Sequence, residues 1–284
     1  MIGRRTPCNR GTQGHRTGSQ SYLGKRCFGA HEEGYSVFQI SKHSMEAFER
    51  DASQSSQLAM AAHYRDFFPW HARAWGPEAT AKVIEHGRER AARYGFETRR
   101  DVCLYLTLLP LLGSWFDEDA QLPWAGQILA DKDRSPRIDH LASRALSHVV
   151  RVQGSDYGEF LAALTTARKE LAGLLEDRTI ADGRTHVRVM LRRLWPRKYE
   201  AHKISMLIQE GLVRASEHRL NNRRGQFLVI ALMFLFGTGF DRDPQFPTFA
   251  KSVKLGPDAL QIATLEVLER WIAASHGGGH HAEW

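Results

Sequence analysis

The sequence predicts an all-α protein of two tandem multi-helix repeats packed together, with a disordered basic N-terminal tail. Three observations support this fold class: an internal duplication, apolar residues that recur every three or four positions, and the absence of sustained alternation with β-branched residues. With 284 residues, 42% of them hydrophobic, the chain is long enough to bury the core that two related helical halves would share.

The duplication covers residues 84–123 and residues 208–247, which align without a gap at a constant offset of 124. Fifteen of the forty paired positions are identical. The identical pairs are Ile84/Ile208, Gly87/Gly211, Arg90/Arg214, Ala91/Ala215, Arg99/Arg223, Arg100/Arg224, Leu104/Leu228, Leu108/Leu232, Leu111/Leu235, Gly113/Gly237, Phe116/Phe240, Asp117/Asp241, Asp119/Asp243, Gln121/Gln245 and Pro123/Pro247. Residues that survive in both copies are first candidates for holding the repeated unit together.

Prolines, glycines and capping residues mark the helices of the first copy. A long amphipathic segment, residues 42–68, ends before Pro69, and the next helix begins at Gly76 and Pro77 and ends at Gly95. A third helix is predicted over residues 99–112, where Thr98 and Asp101 form the N-terminal cap, Pro110 bends the last turn and Gly113 ends the helix. A short helix follows over residues 123–130, and the next begins after Ser135 as N-cap with Pro136 in its first turn and runs to residue 152. A further helix is predicted over residues 157–175.

The second copy repeats these signals. They are Trp195 with Pro196, an N-cap at Asn221 or Asn222, a helix end at Gly237, a short helix from Pro247 and a long last helix from Gly256 and Pro257. The predicted organisation is a disordered basic tail over residues 1–40, a first repeat with its leading helix over residues 41–152, a connecting helix over residues 153–180, a second repeat over residues 181–275 and a flexible tail over residues 276–284.

The charge of the chain argues against nucleic acid as its partner. The formal net charge is +7, but six basic and two acidic residues within the first 34 positions supply +4 of it, which leaves about +3 for the body. Three cysteines without disulfide spacing favour a reducing, cytoplasmic setting, and the longest apolar run, residues 227–236, is half of what a membrane-spanning helix needs.

Gly87 and Gly211 are predicted to lie inside helices, where a glycine costs about 1 kcal/mol relative to alanine. The cost recurs in both copies, so something must offset it. A missing Cβ lets a neighbouring helix approach unusually closely, and the sequence therefore predicts a close helix contact at both glycines.

Both copies contain the string G-x-x-F-D-x-D-x-Q-x-P, over residues 113–123 and 237–247. A structural interpretation is a helix end, an aromatic plug, a turn formed by aspartate side chains and a new helix. Paired carboxylates could instead hold a divalent cation or act as acid and base. No nucleotide-binding glycine loop, G-x-S-x-G or H-E-x-x-H accompanies them, so the sequence predicts no catalytic residue, no metal site and no cofactor.

Specialised function is expected where the copies differ. The differing pairs of interest are Trp115/Gly239, Trp124/Thr248, His86/Glu210 and Glu118/Arg242. Trp115 and Trp124 flank the first acidic loop, and tryptophan beside arginine is a common anchor at protein interfaces. The Arg99-Arg100 and Arg223-Arg224 pairs are expected to pair with the acidic loops or to face solvent rather than to bind phosphate.

Residues His63 to Pro69, the run Ile84 to Gly95 and the string Gly113 to Trp124 resemble a poorly characterised bacterial all-helical family. Its members carry a "GIxxAxxYG" helix followed by "FDxDPxLPW" and are often encoded beside type VI secretion genes. The resemblance covers mainly residues 45–131 and departs at Arg88, where the family has isoleucine, and at Ala120, where it has proline. It implies an accessory, immunity or toxin-loading role and no enzymatic activity.

The leading hypothesis is therefore a non-enzymatic, cytoplasmic protein that binds another protein, a toxin or a secretion component, around the two acidic loops. The predicted partner-binding residues are Trp115, Asp117, Asp119, Trp124, Asp241 and Asp243. The alternatives are a divalent-metal-dependent hydrolase that uses the paired aspartates and, third, a nucleic-acid-binding protein.

Overall fold

Helices form every regular element in the computed structural model, which describes residues 54–133, 135–154, 157–174 and 183–276. The eleven helices of these ranges are α1 (Gln54–Phe67), α2 (Pro69–Arg93), α3 (Arg99–Leu112), α4 (Pro123–Ala130), α5 (Arg137–Gln153), α6 (Gly158–Ala172), α7 (Gly183–Leu194), α8 (Ala201–Glu217), α9 (Arg223–Phe236), α10 (Pro247–Ser252) and α11 (Pro257–His276). No strand occurs among the described residues, and the all-α prediction is confirmed there. The predicted N-terminal tail and residues 277–284 lie outside them.

Two helices, α3 and α9, form the centre of the core. Every residue from Cys103 to Leu112 and from Phe227 to Phe236 is buried. Helices α2 and α5 pack against α3, whereas α7, α8 and α11 pack against α9. A helix that is apolar on all sides must be surrounded by protein. Within the described ranges, no helix has both the length and the apolar character that crossing a membrane requires.

Helix ends 124 residues apart have the same local geometry. Thr98 Oγ1 accepts a hydrogen bond from the backbone N–H of Asp101 at 3.1 Å, and Asn222 Oδ1 accepts one from Gly225 at 2.8 Å. These contacts are the predicted N-caps of α3 and α9. The same two helices end at glycines with positive φ, 93° at Gly113 and 99° at Gly237.

The predicted close contact at the two helical glycines is confirmed. A Cβ placed on Gly87 would lie 2.5 Å from Leu109 Cδ1, and a Cβ on Gly211 would lie 2.5 Å from Ile230 Cγ1. Both distances are far below a van der Waals contact between carbons, which is about 3.5–4.0 Å. The glycines therefore let α2 approach α3 and α8 approach α9.

Several predicted boundaries are wrong, for identifiable reasons. Helix α2 begins at Pro69, because proline is tolerated in a first turn, and Gly76, with φ of 73°, kinks this helix instead of preceding it. Ser135 is not an N-cap, since α5 begins at Arg137 and no side chain caps it. Helix α7 was not predicted, and residues 42–53 of the first predicted helix lie outside the described ranges.

Candidate functional site: the paired acidic loops

Two acidic loops, residues 113–122 and 237–246, follow the buried helices α3 and α9 and lead into α4 and α10. They contact each other. Asp119 Oδ2 accepts a hydrogen bond from the backbone N–H of Thr238 at 3.3 Å, and Asp243 Oδ2 accepts one from the backbone N–H of Ser114 at 2.9 Å. The two donors, Ser114 and Thr238, are 124 positions apart, and so are the two acceptors, Asp119 and Asp243. The two loops therefore exchange equivalent hydrogen bonds.

The glutamines of the two loops make a second reciprocal exchange. Gln121 Nε2 donates to the carbonyl oxygen of Met233 at 2.7 Å, and Gln245 Nε2 donates to that of Leu109 at 2.9 Å. These carbonyls also accept the backbone N–H groups of Gly237 and Gly113, so each glutamine adds a second donor at the last turn of the opposite central helix. The side chains of the loops thus join the C-terminal ends of α3 and α9.

Asp117 and Asp241 bind within their own halves. Asp117 Oδ2 accepts hydrogen bonds from Arg90 Nε at 2.8 Å and from Tyr94 Oη at 2.7 Å. The counterparts at Asp241 Oδ2 are Arg214 Nη1 at 3.2 Å and His218 Nε2 at 2.7 Å. These carboxylates fix each loop to the helix that precedes α3 or α9.

Burial changes the ionisation of the two exchanging aspartates. It raises the pKa of Asp243 to about 6 and raises the pKa of Asp119 above its usual range, against the effect of the amides that donate to each carboxylate. Charged carboxylates are costly in the interior because they lose hydration. The loops consequently carry a free-energy cost at neutral pH that falls as these groups are protonated.

The six predicted partner-binding residues do not share one environment. Asp117, Asp119, Asp241 and Asp243 are buried, and their oxygens accept hydrogen bonds from the chain itself. Trp115 and Trp124 are half-buried, and the Trp124 ring lies 5.9 Å from that of His148. Direct contact of the four carboxylates with a partner would require these hydrogen bonds to break.

Trp115 is the centre of a partly exposed cluster. Two guanidinium groups lie against its ring, with the Cζ atom of Arg242 3.7 Å and that of Arg90 4.4 Å from the ring centroid. The His86 ring lies 4.7 Å away, and Trp115 Nε1 donates to the carbonyl oxygen of Arg242 at 3.3 Å. Cation–π contacts of this kind orient both partners.

Gly239 and the ion pairs of Glu118 also belong to this cluster. A Cβ on Gly239 would lie 2.7 Å from Trp115 Cβ, so Trp115 packs where only a glycine leaves room. Glu118 accepts from Arg242 Nη2 at 2.8 Å and from Arg90 Nη2 at 2.6 Å, and the side chains of Glu118 and Arg242 are each 44% exposed. This outer layer of the site is accessible to a partner.

Three of the four differing pairs singled out from the sequence meet in this cluster. They are Trp115 with Gly239, Glu118 with Arg242, and His86 with Glu210. The charge of Arg242 acts on Glu210, whose pKa is raised by burial. Thus the repeated aspartates and glutamines are buried in both loops, and the differing residues Trp115, Glu118 and Arg242 are partly or fully exposed.

For the two arginine pairs, the expectation of solvent exposure holds at Arg99 and Arg223, and the expectation of pairing with the acidic loops does not hold at Arg100 and Arg224. Arg100 and Arg224 form ion pairs with Asp139 and Asp258, near the starts of α5 and α11. The loops are bound instead by Arg90 and Arg214. These two arginines are identical in both copies and stand 27 positions before Asp117 and Asp241, a signal that the sequence contained.

A cavity of about 70 Å³ lies beside the loops. Its lining includes Asp119, Gln121, Gln245, His148 and Lys198. Lys198 Nζ lies 3.5 Å from the carbonyl oxygen of Leu235, at the C-terminal end of α9, where a cation stabilises the helix dipole. Burial lowers the pKa of Lys198 to about 8.

The described residues contain no group of three or more His, Cys, Asp or Glu side chains placed to hold a metal ion. Comparisons with protein-family models, with curated proteins and with solved structures find no match.

Proposed function

We propose that the chain is a duplicated helical scaffold in which two copies of one unit pair through their acidic loops. Support comes from positions 124 apart, which share N-caps, helix-ending glycines, buried arginine–aspartate pairs and close contacts at Gly87 and Gly211. The reciprocal hydrogen bonds of Asp119 and Asp243 are those expected of two like units related by a twofold rotation.

On this scaffold, we propose a non-enzymatic protein-binding role for the Trp115 surface, defined as Trp115, Glu118, Arg242 and His86. The observation that carries the proposal is the convergence of differing residues at one partly exposed place on an otherwise matched pair of loops. Residues needed for folding recur in both copies, whereas residues that recognise a partner need to be present once. Tryptophan and arginine are also the types that dominate binding energy at protein interfaces.

The partner is proposed to be a secreted toxin or the component that carries it, met in the cytoplasm before secretion. The basis is the resemblance of residues 45–131 to helical proteins encoded beside type VI secretion genes. In this role the chain would act as a loading adaptor or an immunity-type protein.

The test is capture of neighbouring gene products by the purified full-length chain. Glu118→Arg removes two ion pairs at the Trp115 surface and should reduce capture at least tenfold. Glu266→Arg makes the same change of charge at an exposed position of α11 and should leave capture unchanged. Equal capture by the wild type and the Glu118 variant would contradict the proposal.

Charge reversal at Asp117 or Asp119 is not a clean test of binding. Both side chains are buried. Asp117 pairs with Arg90, and removing one partner of a buried charge pair costs about 3–5 kcal/mol. Reversal at Asp119 would bury a positive charge against the amide groups that donate to this carboxylate. We expect such variants to unfold, so loss of capture would follow from loss of structure. Glu118, on the exposed rim, separates the two effects.

A further inference from the structure

Helix α7 carries an arginine stripe. Arg184, Arg188 and Arg192 recur every four residues, which places them on one face, and the helix contains no acidic residue. The adjoining face is buried through Val187, Met190, Leu191 and Leu194. The stripe therefore runs along the edge of the buried face, with Arg184 and Arg192 exposed and Arg188 half-buried.

The stripe is only partly neutralised by the described chain. Arg188 Nη2 donates to Ser205 Oγ at 2.7 Å, whereas Arg184 and Arg192 have no ion pair or hydrogen bond to another described residue. Two other arginines nearby do have carboxylate partners. They are Arg193 with Glu170 at 3.5 Å and Arg197 with Glu159 at 3.1 Å.

Exposed aliphatic side chains lie beside this stripe. The Arg188–Ser205 hydrogen bond places α7 next to α8. Val189 follows Arg188 and is 51% exposed, Met206 follows Ser205 and is 65% exposed, and Val213, two turns further along α8, is 60% exposed. Positively charged and apolar groups thus adjoin on one face.

The apolar part of this face is absent from the first copy. Lys82 and Glu89 precede Met206 and Val213 by 124 positions, and both are exposed charged residues on α2. An equivalent helix face is therefore solvated in one copy and apolar in the other. Such a difference follows the same division between shared scaffold and specialised surface as the Trp115 cluster.

The apolar residues also adjoin the second acidic loop. On α8, Ser205 and Arg214 lie on opposite sides of the Met206–Val213 line, because nine residues advance a helix by two and a half turns. Ser205 contacts α7, and Arg214 contacts Asp241 of the loop. The exposed face of α8 consequently lies between the arginine stripe and the acidic loop.

We propose that this α7–α8 face, formed by Arg184, Arg188, Val189, Arg192, Met206 and Val213, binds an acidic amphipathic helix of a partner protein. The inference rests on the proposed protein-binding function and adds a second contact surface to it. Acidic side chains complement the arginines, and the apolar side of such a helix covers the exposed aliphatic groups.

Other occupants fit the same face less well. A nucleic-acid backbone complements arginine but offers nothing to Val189, Met206 and Val213. A membrane-binding helix typically inserts tryptophan, phenylalanine or leucine, and the exposed apolar residues of this face are two valines and a methionine. The chain's own first 34 residues carry a net positive charge, which the arginines repel.

The experiment measures binding of a fluorescein-labelled, 18-residue synthetic helix with glutamates on one face and leucines on the other, by fluorescence anisotropy with the full-length chain. The triple variant Arg184→Glu, Arg188→Glu, Arg192→Glu should weaken binding at least tenfold. Met206→Lys with Val213→Glu, which restores the first copy's residues, should weaken it as well.

A triple variant at exposed arginines elsewhere provides the matched control. Arg93→Glu, Arg144→Glu, Arg270→Glu changes the net charge by the same amount and should leave the affinity within twofold of wild type. The proposal is overturned if the peptide does not bind, if both triple variants lose the same affinity, or if a 20-nucleotide single-stranded DNA or a phosphatidylglycerol vesicle binds more tightly than the peptide.

Failure of this inference and failure of the proposed function give different results. Glu118→Arg lies outside the face and should not alter peptide binding. If Glu118→Arg abolishes capture of the gene products while the Arg184 triple variant binds peptide normally, only the α7–α8 face is wrong. If the peptide depends on the arginines while capture ignores Glu118, only the Trp115 surface is wrong.

Discussion

Gly211 lies inside α8, where its lack of a side chain is used for packing. Its missing Cβ allows contact with Ile230, a β-branched residue in the buried helix α9. A glycine costs helix stability, and the close approach of two helices offsets that cost. Sequence alone predicted this role, because a helical glycine that recurs in both copies needs a reason.

Gly211→Ala should lower the free energy of unfolding by about 2 kcal/mol, although alanine favours helix formation. The added methyl would meet Ile230 Cγ1 at 2.5 Å, and the Ile230 Cα, at 3.4 Å, restricts the room to adjust. Urea unfolding measures the change. Ser216→Ala, at an exposed position of the same helix, should change stability by less than about 0.5 kcal/mol. A neutral or stabilising Gly211 variant would contradict the packing argument.

The raised pKa of Asp243 predicts a pH-dependent cost. A carboxyl group whose native pKa is about 6, against an ordinary value of 3.8, binds protons more tightly when folded, so its contribution to stability is complete only well below its ordinary pKa and is lost as pH rises through 6. The advantage of wild type over Asp243→Asn should therefore decline by about 2 kcal/mol between pH 4 and pH 7. Urea unfolding of both proteins across this range checks it, and a constant difference would show that Asp243 does not titrate in the folded state in this range.

At the scale of elements, the sequence predicted helices well where proline, glycine or a capping residue marks an end. The bounds of α3 and α4 match the prediction because Thr98, Gly113 and Pro123 act locally. Helix α7 was missed because its apolar residues are interspersed with arginines, although Asp182, an N-cap residue type, precedes Gly183 in the sequence. The kink at Gly76 was taken for a helix start because glycine before proline is typical of both.

The two predicted N-caps offer a matched test. Thr98→Ala and Asn222→Ala should each lower the free energy of unfolding by about 1 kcal/mol, because each leaves one first-turn N–H of a buried helix without its acceptor. Their effects should be additive in the double variant, since the caps belong to different helices. Thermal or urea unfolding of the three variants measures this. If one cap proved neutral, the equivalence of α3 and α9 at their N-termini would be wrong.

At the scale of the whole molecule, the acidic loops make each half depend on the other. The amide groups of Gln121 and Gln245 bond to carbonyls of the opposite central helix, and each exchanging aspartate accepts from the opposite loop. The sequence showed that both copies contain these loops, but it could not predict that the loops exchange hydrogen bonds. A repeated pair of carboxylates does not reveal which segment of the chain faces it. For the same reason the burial of the four aspartates was not foreseen.

This dependence predicts a single unfolding transition. Far-ultraviolet circular dichroism and tryptophan fluorescence should give the same urea midpoint, because separating the halves would remove the donors that each loop supplies to the aspartate and the carbonyl of the other half. Two transitions with different midpoints would mean that the halves are independent domains joined by weak contacts.

The Trp115 surface makes the first acidic loop different from the second, and this difference can be removed by mutation. Trp115→Gly with Glu118→Arg gives the first loop the residues of the second, Gly239 and Arg242, while leaving the reciprocal hydrogen bonds in place. The decisive measurement is calorimetric titration of this double variant with the gene product that wild type captures. We expect a helical content equal to that of wild type and an affinity at least a hundredfold weaker. Unchanged affinity in the folded variant would contradict it.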